Sequence, residues 1–113
     1  MNKYRNKKTE LDGYKFDSQK EANKYWELKH DPTVKSFTVH PKFLIIEAFE
    51  KDGVKYRASY YIADFDVTYY GGEREIIDIK PFSKKNGYFL TAVFKLKAKL
   101  FDSLYPDLTL VIE

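Results

Sequence analysis

The 113-residue chain contains no cysteine, and its two histidines are His30 and His40. The lack of cysteine excludes disulfide scaffolds, thiolate zinc sites and cysteine nucleophiles. Two histidines in unrelated contexts are too few for a histidine-based metal cluster. No apolar run approaches the roughly 18 residues that span a bilayer, so we expect no membrane association. The N-terminal segment is charged without an apolar core, which is not the pattern of a secretory signal.

Apolar and aromatic residues are present in the proportions of a folded domain. Hydrophobic residues make up 43% of the chain and aromatic residues 18%, which excludes a disordered chain. A length of 113 residues provides for one hydrophobic core and leaves no room for a second. We therefore predict one soluble, cytoplasmic domain over residues 1–113.

Charge is segregated along the chain, although the net charge is only +3. Residues 1–9 and residues 80–100 contain basic side chains and no acid, whereas residues 58–79 contain several acids and one arginine. An acidic centre between basic flanks suits a polyanion held at its backbone, with carboxylates gathering cations at one point. The alternative interpretation is that each charge run is simply a solvated face.

Turn signals and hydrophobic periodicity predict a helix, a series of strands, a second helix and a final strand. This order indicates an α+β domain with a central mixed sheet flanked by helices. The predicted elements are a basic flexible arm at 1–12, a helix at 18–30, strands at 35–39, 43–49, 56–70 and 74–80, a helix at 91–104 and a strand at 108–112.

Both predicted helices are amphipathic, and their periodicity predicts which side chains face the core. On the first helix the predicted buried stripe consists of Ala22, Tyr25, Trp26 and the stem of Lys29. On the second helix the predicted apolar side consists of Val93, Phe94, Leu96, Leu100, Phe101 and Leu104.

Three short segments contain the candidate catalytic and metal-binding residues. YIADFD places Asp64 and Asp66 in an apolar, aromatic strand. EIIDIKP places Asp78 and Lys80 two residues apart, and therefore on one face of a strand. FDSQKEA places Glu21 on the first turn of the first helix. Two acids in apolar strands repel each other unless a cation lies between them, so the pattern indicates a metal site.

Hydrolysis of a phosphodiester bond explains why these residue types would be combined. Asp64, Asp78 and the backbone oxygen of Ile79 supply oxygen ligands for a hard divalent cation, Mg²⁺ or Mn²⁺. Lys80 orients the attacking water or helps to deprotonate it. Glu21 coordinates a second metal or its water shell. These residues are the predicted catalytic and metal-binding set.

Each of these residues also has a purely structural interpretation. Glu21 fits a capping box with Ser18, in which it closes the start of the helix. Asp66 is better explained as a solvated acid at a strand edge than as a ligand. By themselves, Asp78 and Lys80 also fit a pattern of surface charges, which contributes little to stability.

A shared site for the two strand acids imposes a condition on the Gly71-Gly72 turn. A two-residue turn would pair Phe65 with Asp78 and place Asp64 on the opposite face of the sheet. We therefore predict a three-residue loop or a bulge at this turn, which shifts the register by one residue.

Several stretches together resemble the PD-(D/E)XK nuclease superfamily, and more closely a family of small phage and prophage proteins within it. The matching stretches span nearly the whole chain: KYRNKKTELDGYKFDSQKEA, HPKF, YIADF, EIIDIKP and KLKAKLFDSLYPDL. The resemblance implies a restriction-endonuclease-like αβββαβ core and a Mg²⁺-dependent endonuclease. It also implies that Glu21, Asp64, Asp78 and Lys80 occupy the active-site positions, with Lys97 in a DNA-contacting or auxiliary role. The superfamily's proline before the first aspartate is replaced here by Ala63.

Basic side chains outside this set are predicted to hold DNA through its phosphates, without sequence specificity. Tyr60, Tyr61, Tyr69 and Tyr70 are expected mainly to pack, with stacking on bases as the alternative. Because so small a domain covers few base pairs, we expect a homodimer that cuts two strands. The predicted DNA-binding residues are Lys7, Lys8, Lys84, Lys85, Lys95, Lys97 and Lys99.

The predicted function is thus a phage-type, metal-dependent DNA endonuclease that acts on duplex or branched DNA in the bacterial host cytoplasm, as Holliday-junction resolvases do. Two alternatives remain open. One is a non-catalytic DNA-binding accessory protein that keeps the nuclease fold. The other is a protein-interaction module that blocks a host factor, with an acidic centre that mimics DNA.

Overall fold

The computed structural model describes residues 8–113, so Lys7 and most of the predicted basic arm lie outside the described residues. Two helices and a series of short strands make up this part of the chain. They are β1 (Thr9–Leu11), β2 (Tyr14–Phe16), α1 (Gln19–His30), β3 (Val34–Val39), β4 (Lys42–Ile46), β5 (Phe49–Lys51), β6 (Val54–Tyr56), β7 (Ser59–Ile62), β8 (Phe65–Tyr69), β9 (Arg74–Asp78), β10 (Phe82–Ser83), β11 (Gly87–Tyr88), α2 (Ala92–Leu104) and β12 (Thr109–Ile112).

The largest sheet has the strand order β12-β9-β8-β3. Its β12–β9 pair is parallel, whereas the β9–β8 and β8–β3 pairs are antiparallel. Within residues 8–113, four further two-stranded ladders pair β1 with β2, β4 with β7, β5 with β6, and β10 with β11. The α+β class and the mixed sheet predicted from the sequence are therefore confirmed.

The helices cover opposite faces of this sheet, because neighbouring residues of a strand point to opposite sides. Ile77 on β9 belongs to a buried cluster with Ala22 and Leu28 of α1. Ile76, the preceding residue, belongs to a second buried cluster with Phe94 and Phe101 of α2. Two layers of apolar packing thus hold β9 in the middle of the domain.

Helix α1 begins and ends where its capping residues predict. The Ser18 hydroxyl accepts the N–H of Glu21 at 3.2 Å, and the helix ends at His30, before Asp31-Pro32. Trp26 was predicted to be buried, but 58% of it is exposed. That prediction was wrong because the buried stripe continues through Leu28, while Trp26 projects to the side and packs on the His30 ring at 4.1 Å.

Helix α2 begins after Thr91, whose hydroxyl accepts the N–H of Phe94 at 3.0 Å. Its buried face is narrower than predicted. Phe94 and Phe101 are buried and Leu100 is half-buried, but Val93, Leu96 and Leu104 are mostly exposed, because α2 packs on a layer only a few strands wide. In residues 8–113, neither helix combines the length and apolar character that a membrane crossing requires.

The predicted strand at 56–70 is three strands in the structure, and this prediction was wrong about its continuity. The chain leaves the β4–β7 ladder after Ile62 and enters the β3–β8 ladder at Phe65. The segment that pairs with these residues, from β3 to β4, makes the same crossing at His40, which has a φ of +54°. Ala63 and Asp64 lie at the crossing, where the backbone carbonyl of Asp64 accepts the N–H of His40 at 2.9 Å. The predicted strand at 43–49 divides into β4 and β5, because the chain passes there from the β4–β7 ladder to the β5–β6 hairpin.

The described part of the predicted flexible arm contains a short strand. Thr9–Leu11 pairs with Tyr14–Phe16 in a hairpin, and the Phe16 ring is buried in the cluster beneath α1. Asp12 at the hairpin turn accepts hydrogen bonds from Tyr25 and Lys29, at 2.7 and 2.6 Å. Phe16 thus joins the hairpin to the core, while the flexibility of residues 1–12 stays a prediction.

Candidate active site

The loop between β8 and β9 determines which residues of these strands lie opposite each other. The N–H of Tyr69 donates to the Glu73 carbonyl at 2.8 Å, and the N–H of Gly72 donates to the Tyr69 carbonyl at 2.9 Å. The loop therefore consists of the three residues Tyr70–Gly72, and Gly72 has a φ of +92° that favours glycine. The predicted three-residue loop is confirmed.

This register places Asp64 across from Asp78. Phe65 pairs with Ile77, and the N–H of Asp64 donates to the Ile77 carbonyl at 3.0 Å. Continuing the register by one residue sets Asp64 opposite Asp78, and opposed residues of an antiparallel pair project to the same face. The condition for a shared site of the two acids is therefore met.

The Asp64 carboxyl lies at the point where the chain crosses between ladders. Its Oδ2 accepts the N–H of Ile79 at 2.6 Å, which ties the acid to the residue that follows β9. Burial raises the pKa of Asp64 to about 8, and the neighbouring carboxyls of Glu21 and Asp78 add to the increase, while the Ile79 N–H opposes it. The surroundings of Asp64 therefore favour its neutral, protonated form when no cation is bound.

Asp78 is buried, with 4% of its surface exposed, and both of its oxygens have partners. The Tyr61 hydroxyl donates to Oδ2, and the Lys80 ammonium lies 3.0 Å from Oδ1. Burial, followed by the Asp78 carboxylate, raises the pKa of Tyr61, so its hydroxyl remains a protonated donor. The Lys80 ammonium also lies 3.9 Å from the centre of the Phe94 ring. These contacts hold Asp78 and Lys80 on one side of the cleft.

Glu21 reaches the same place from the first turn of α1. Its Oε2 accepts the N–H of Asp17 at 2.8 Å, and its own N–H donates to Ser18, so it helps to cap the helix. Its carboxyl also lies within hydrogen-bonding reach of Asp64 and contributes to the raised pKa there. Glu21 therefore helps to cap the helix and also lies beside Asp64.

These side chains line one open cleft of about 340 Å³. The residues predicted from the sequence as a catalytic set all contribute to it, together with Lys97 of α2. Sequence reasoning did not identify the roles of Tyr61, Asp17 and Thr91, because no local pattern indicates which side chain will face a residue of a distant strand. The lining consists of Asp17, Glu21, Tyr61, Ile62, Asp64, Asp78, Ile79, Lys80, Thr91, Val93, Phe94 and Lys97.

Comparison with known proteins gives a family for the whole chain. A family model described as "Protein of unknown function (DUF1064)" matches residues 1–113. The chain belongs to the DUF1064 family. No curated protein and no solved structure matches it. The functional argument for this DUF1064 protein therefore depends on the chemistry of the cleft.

The donors in the cleft fit a hard cation better than a soft one. Carboxylates from Glu21, Asp64 and Asp78 and the carbonyl of Ile79 are all oxygen ligands, the kind that Mg²⁺ and Mn²⁺ prefer. In residues 8–113, no three acids, histidines or cysteines are arranged as a preformed ligand group. In this arrangement the Asp64 carboxyl accepts a hydrogen bond from the Ile79 N–H, and the Asp78 carboxylate forms an ion pair with Lys80. A bound cation would therefore replace these interactions of the two carboxylates.

The remaining predicted residues of this DUF1064 protein lie away from the acids. Asp66 forms a bidentate pair with Arg74, at 2.9 and 2.7 Å, and does not line the cleft. The prediction of a solvated acid at a strand edge was wrong, because β8 lies between β3 and β9 and only 16% of the Asp66 side chain is exposed. The predicted DNA-binding lysines outside the cleft are distributed over separate surfaces. Lys8 is exposed before β1, Lys84 and Lys85 lie between β10 and β11, and Lys95 and Lys99 are exposed on α2.

Proposed function

We propose that this DUF1064 protein is a Mg²⁺- or Mn²⁺-dependent DNA endonuclease of the phage type, with a restriction-endonuclease-like core. The observation that carries the proposal is the register that sets Asp64 opposite Asp78 in an open cleft shared with Lys80 and Glu21. The buried Asp78, the half-buried Asp64 opposite it, a lysine two residues after Asp78 and a helix glutamate are the residue types that metal-dependent phosphodiester hydrolysis needs.

The topology supports the same proposal. Without the smaller ladders, the chain order is α1, β3, β8, β9, α2, β12, which is an αβββαβ order. The β4–β7 and β5–β6 ladders are an addition between β3 and β8. This order agrees with the resemblance to the PD-(D/E)XK superfamily, in which Asp64 and Asp78 would be the paired acids and Lys80 the lysine of the motif.

Each side chain has a role that follows from its contacts. Asp64, Asp78, Glu21 and the Ile79 carbonyl would hold the cation, which supplies Lewis acidity at the scissile phosphate when bound. The ammonium of Lys80 is confined by Asp78, and in that position it can orient an attacking water and stabilise charge developing on the phosphate.

The proposed substrate is DNA, duplex or branched, and the basic surface residues would contact its backbone. Lys97 lies in the cleft itself, where it can neutralise a phosphate next to the reacting one. We further propose a homodimer, because a domain this small covers few base pairs and two symmetry-related clefts can cut the two strands. Sedimentation that detects only monomer, with and without DNA, would contradict the dimer and leave the cleft chemistry untouched.

Cleavage assays on labelled DNA test the proposal. Linear duplex, flapped and four-way-junction substrates are incubated with Mg²⁺, Mn²⁺ or EDTA, using wild-type protein, Asp78→Ala and Lys80→Ala. We expect metal-dependent cleavage that both variants lose. Asp66→Ala is the matched control, because it removes an acid from the same strand pair outside the cleft. Wild-type protein that binds DNA but cuts none of the substrates in either metal would refute the endonuclease.

A non-catalytic DNA-binding protein is the second candidate, and one observation favours it. The Asp78 carboxylate is already neutralised by Lys80 and hydrogen bonded by Tyr61, so part of the cleft is stable without a cation. This candidate predicts DNA affinity that does not depend on Mg²⁺, and an Asp64→Ala variant that binds DNA at least as tightly as the wild type. Cation-dependent cleavage would exclude it.

A further inference from the structure

Three aromatic rings are exposed on the hairpin that follows Lys80. Phe82 of β10 and Tyr88 of β11 are direct cross-strand partners, with ring centroids 4.9 Å apart. Phe82 is 58% exposed, Tyr88 42% and the adjoining Phe89 66%. None of the three belongs to either buried cluster of residues 8–113. Such a concentration of exposed rings marks a binding surface more often than a packing surface.

The hairpin is attached to the rim of the cleft at both ends. Lys80, just before it, and Thr91, just after it, both line the cleft. Its base is closed by the N–H of Phe89, which donates to the Pro81 carbonyl at 2.9 Å. Lys20 of α1 donates to the Lys80 carbonyl at 2.7 Å and lies 5.4 Å from the centre of the Tyr88 ring. The rings are therefore held beside the proposed reaction site.

The charge of the hairpin indicates what would cover these rings. Lys84 and Lys85 are the charged residues between positions 81 and 94, and no acid lies among them. A second copy of this chain would bring like charges together at this surface, which disfavours self-association. A polyanion with flat apolar faces satisfies both features, since its phosphates meet the lysines and its bases meet the rings.

We propose that Phe82, Tyr88 and Phe89 form a stacking surface for an unpaired base of DNA at the edge of the cleft. The inference rests on the proposed endonuclease function and narrows its substrate. Unpaired bases are present in flapped, branched and single-stranded DNA, and are not available in an uninterrupted duplex. The protein would then select such structures by stacking and would hold them by the phosphate contacts of Lys84 and Lys85.

Equilibrium binding by fluorescence anisotropy tests this inference without requiring cleavage. A forked DNA and a linear duplex with the same number of phosphates are titrated with wild-type protein and with Phe82→Leu, Tyr88→Leu and Phe89→Leu, in Ca²⁺ and in EDTA. The control is Phe49→Leu/Tyr56→Leu, which removes a stacked pair from the β5–β6 hairpin, whose rings lie 4.6 Å apart and outside the cleft lining. Circular dichroism checks that each variant is folded.

We expect at least one hairpin variant to bind forked DNA about tenfold more weakly, because loss of one base–aromatic stack has an effect of this size. Duplex affinity should stay within about twofold, because the phosphate contacts that dominate duplex binding are retained. The control should bind both DNAs as the wild type does. Equal losses on the two DNAs, or no loss in any hairpin variant, would overturn the stacking surface and leave the endonuclease standing. Wild-type protein that binds neither DNA would overturn the proposed function itself.

Discussion

Asp64 and Asp78 lie opposite each other across the β8–β9 pair because the connecting loop contains three residues. In this pairing the Asp64 carboxyl accepts a hydrogen bond from the Ile79 N–H, across the strand pair. The Asp78 carboxylate forms an ion pair with Lys80, two residues further along the chain. Glu21 completes the group from a helix. The concentration of acids is therefore a consequence of strand register, and four predictions follow from how these and nearby residues are held.

Tyr61→Phe should lower the free energy of unfolding by about 1–3 kcal/mol, because it leaves a buried oxygen of Asp78 without its hydrogen-bond donor. Urea denaturation measures the change. Tyr60→Phe is the matched control, since Tyr60 is the adjacent tyrosine on the exposed side of β7. Equal stability of Tyr61→Phe and the wild type would show that the Tyr61 hydroxyl contributes nothing to holding Asp78.

The stability of the protein without divalent cations should fall as the pH rises from about 3.8 to about 8. Folding raises the pKa of Asp64 from its ordinary 3.8 to about 8, so in this interval the folded state retains a proton that the unfolded chain has released. Thermal unfolding in EDTA measures the trend, and Asp64→Asn should make it shallower. Mg²⁺ should raise the Tm more at the upper end of the interval than at the lower end, because a cation competes with the proton. Identical pH profiles for Asp64→Asn and the wild type would contradict the prediction.

Lys97→Ala should weaken DNA binding and reduce the slope of log affinity against log salt by about one, because it removes one phosphate contact in the cleft. Titrations at several salt concentrations measure the slope. Lys35→Ala is the control, since Lys35 is exposed at the end of β3 that is distant from the crossing at Asp64. An unchanged slope for Lys97→Ala would mean that Lys97 does not contact a DNA phosphate in the cleft.

Phe16→Ala should destabilise the protein by about 3–5 kcal/mol, the usual cost of deleting a fully buried ring. Its ring joins the N-terminal hairpin to the cluster beneath α1, so the variant tests whether residues 9–16 belong to the fold. Tyr14→Ala, at a residue that is 43% exposed on the same hairpin, is expected to cost less. Urea denaturation of both variants measures the difference, and a small effect of Phe16→Ala would mean that the hairpin docks weakly.

Local signals in the sequence were sufficient for the helices and for one essential property of the site. Ser18 and Thr91 mark the helix starts that the structure has, because a cap depends only on residues three positions apart. The need for a three-residue loop at Gly71-Gly72 also followed from the sequence, since side chains alternate along a strand with a period of two. Hence the opposition of Asp64 and Asp78 could be predicted as a condition for a shared site.

Other properties depended on contacts between distant parts of the chain, and only the tertiary structure decided them. The break between β7 and β8 depends on the crossing of the paired segment at His40, which no local pattern of aromatics reveals. The approach of Tyr61 to Asp78 depends on how the two ladders are joined. The sequence by itself determined which residues could act together, through capping and strand alternation. The tertiary structure decided which of them meet, because non-local strand pairing and helix packing set the distances between them.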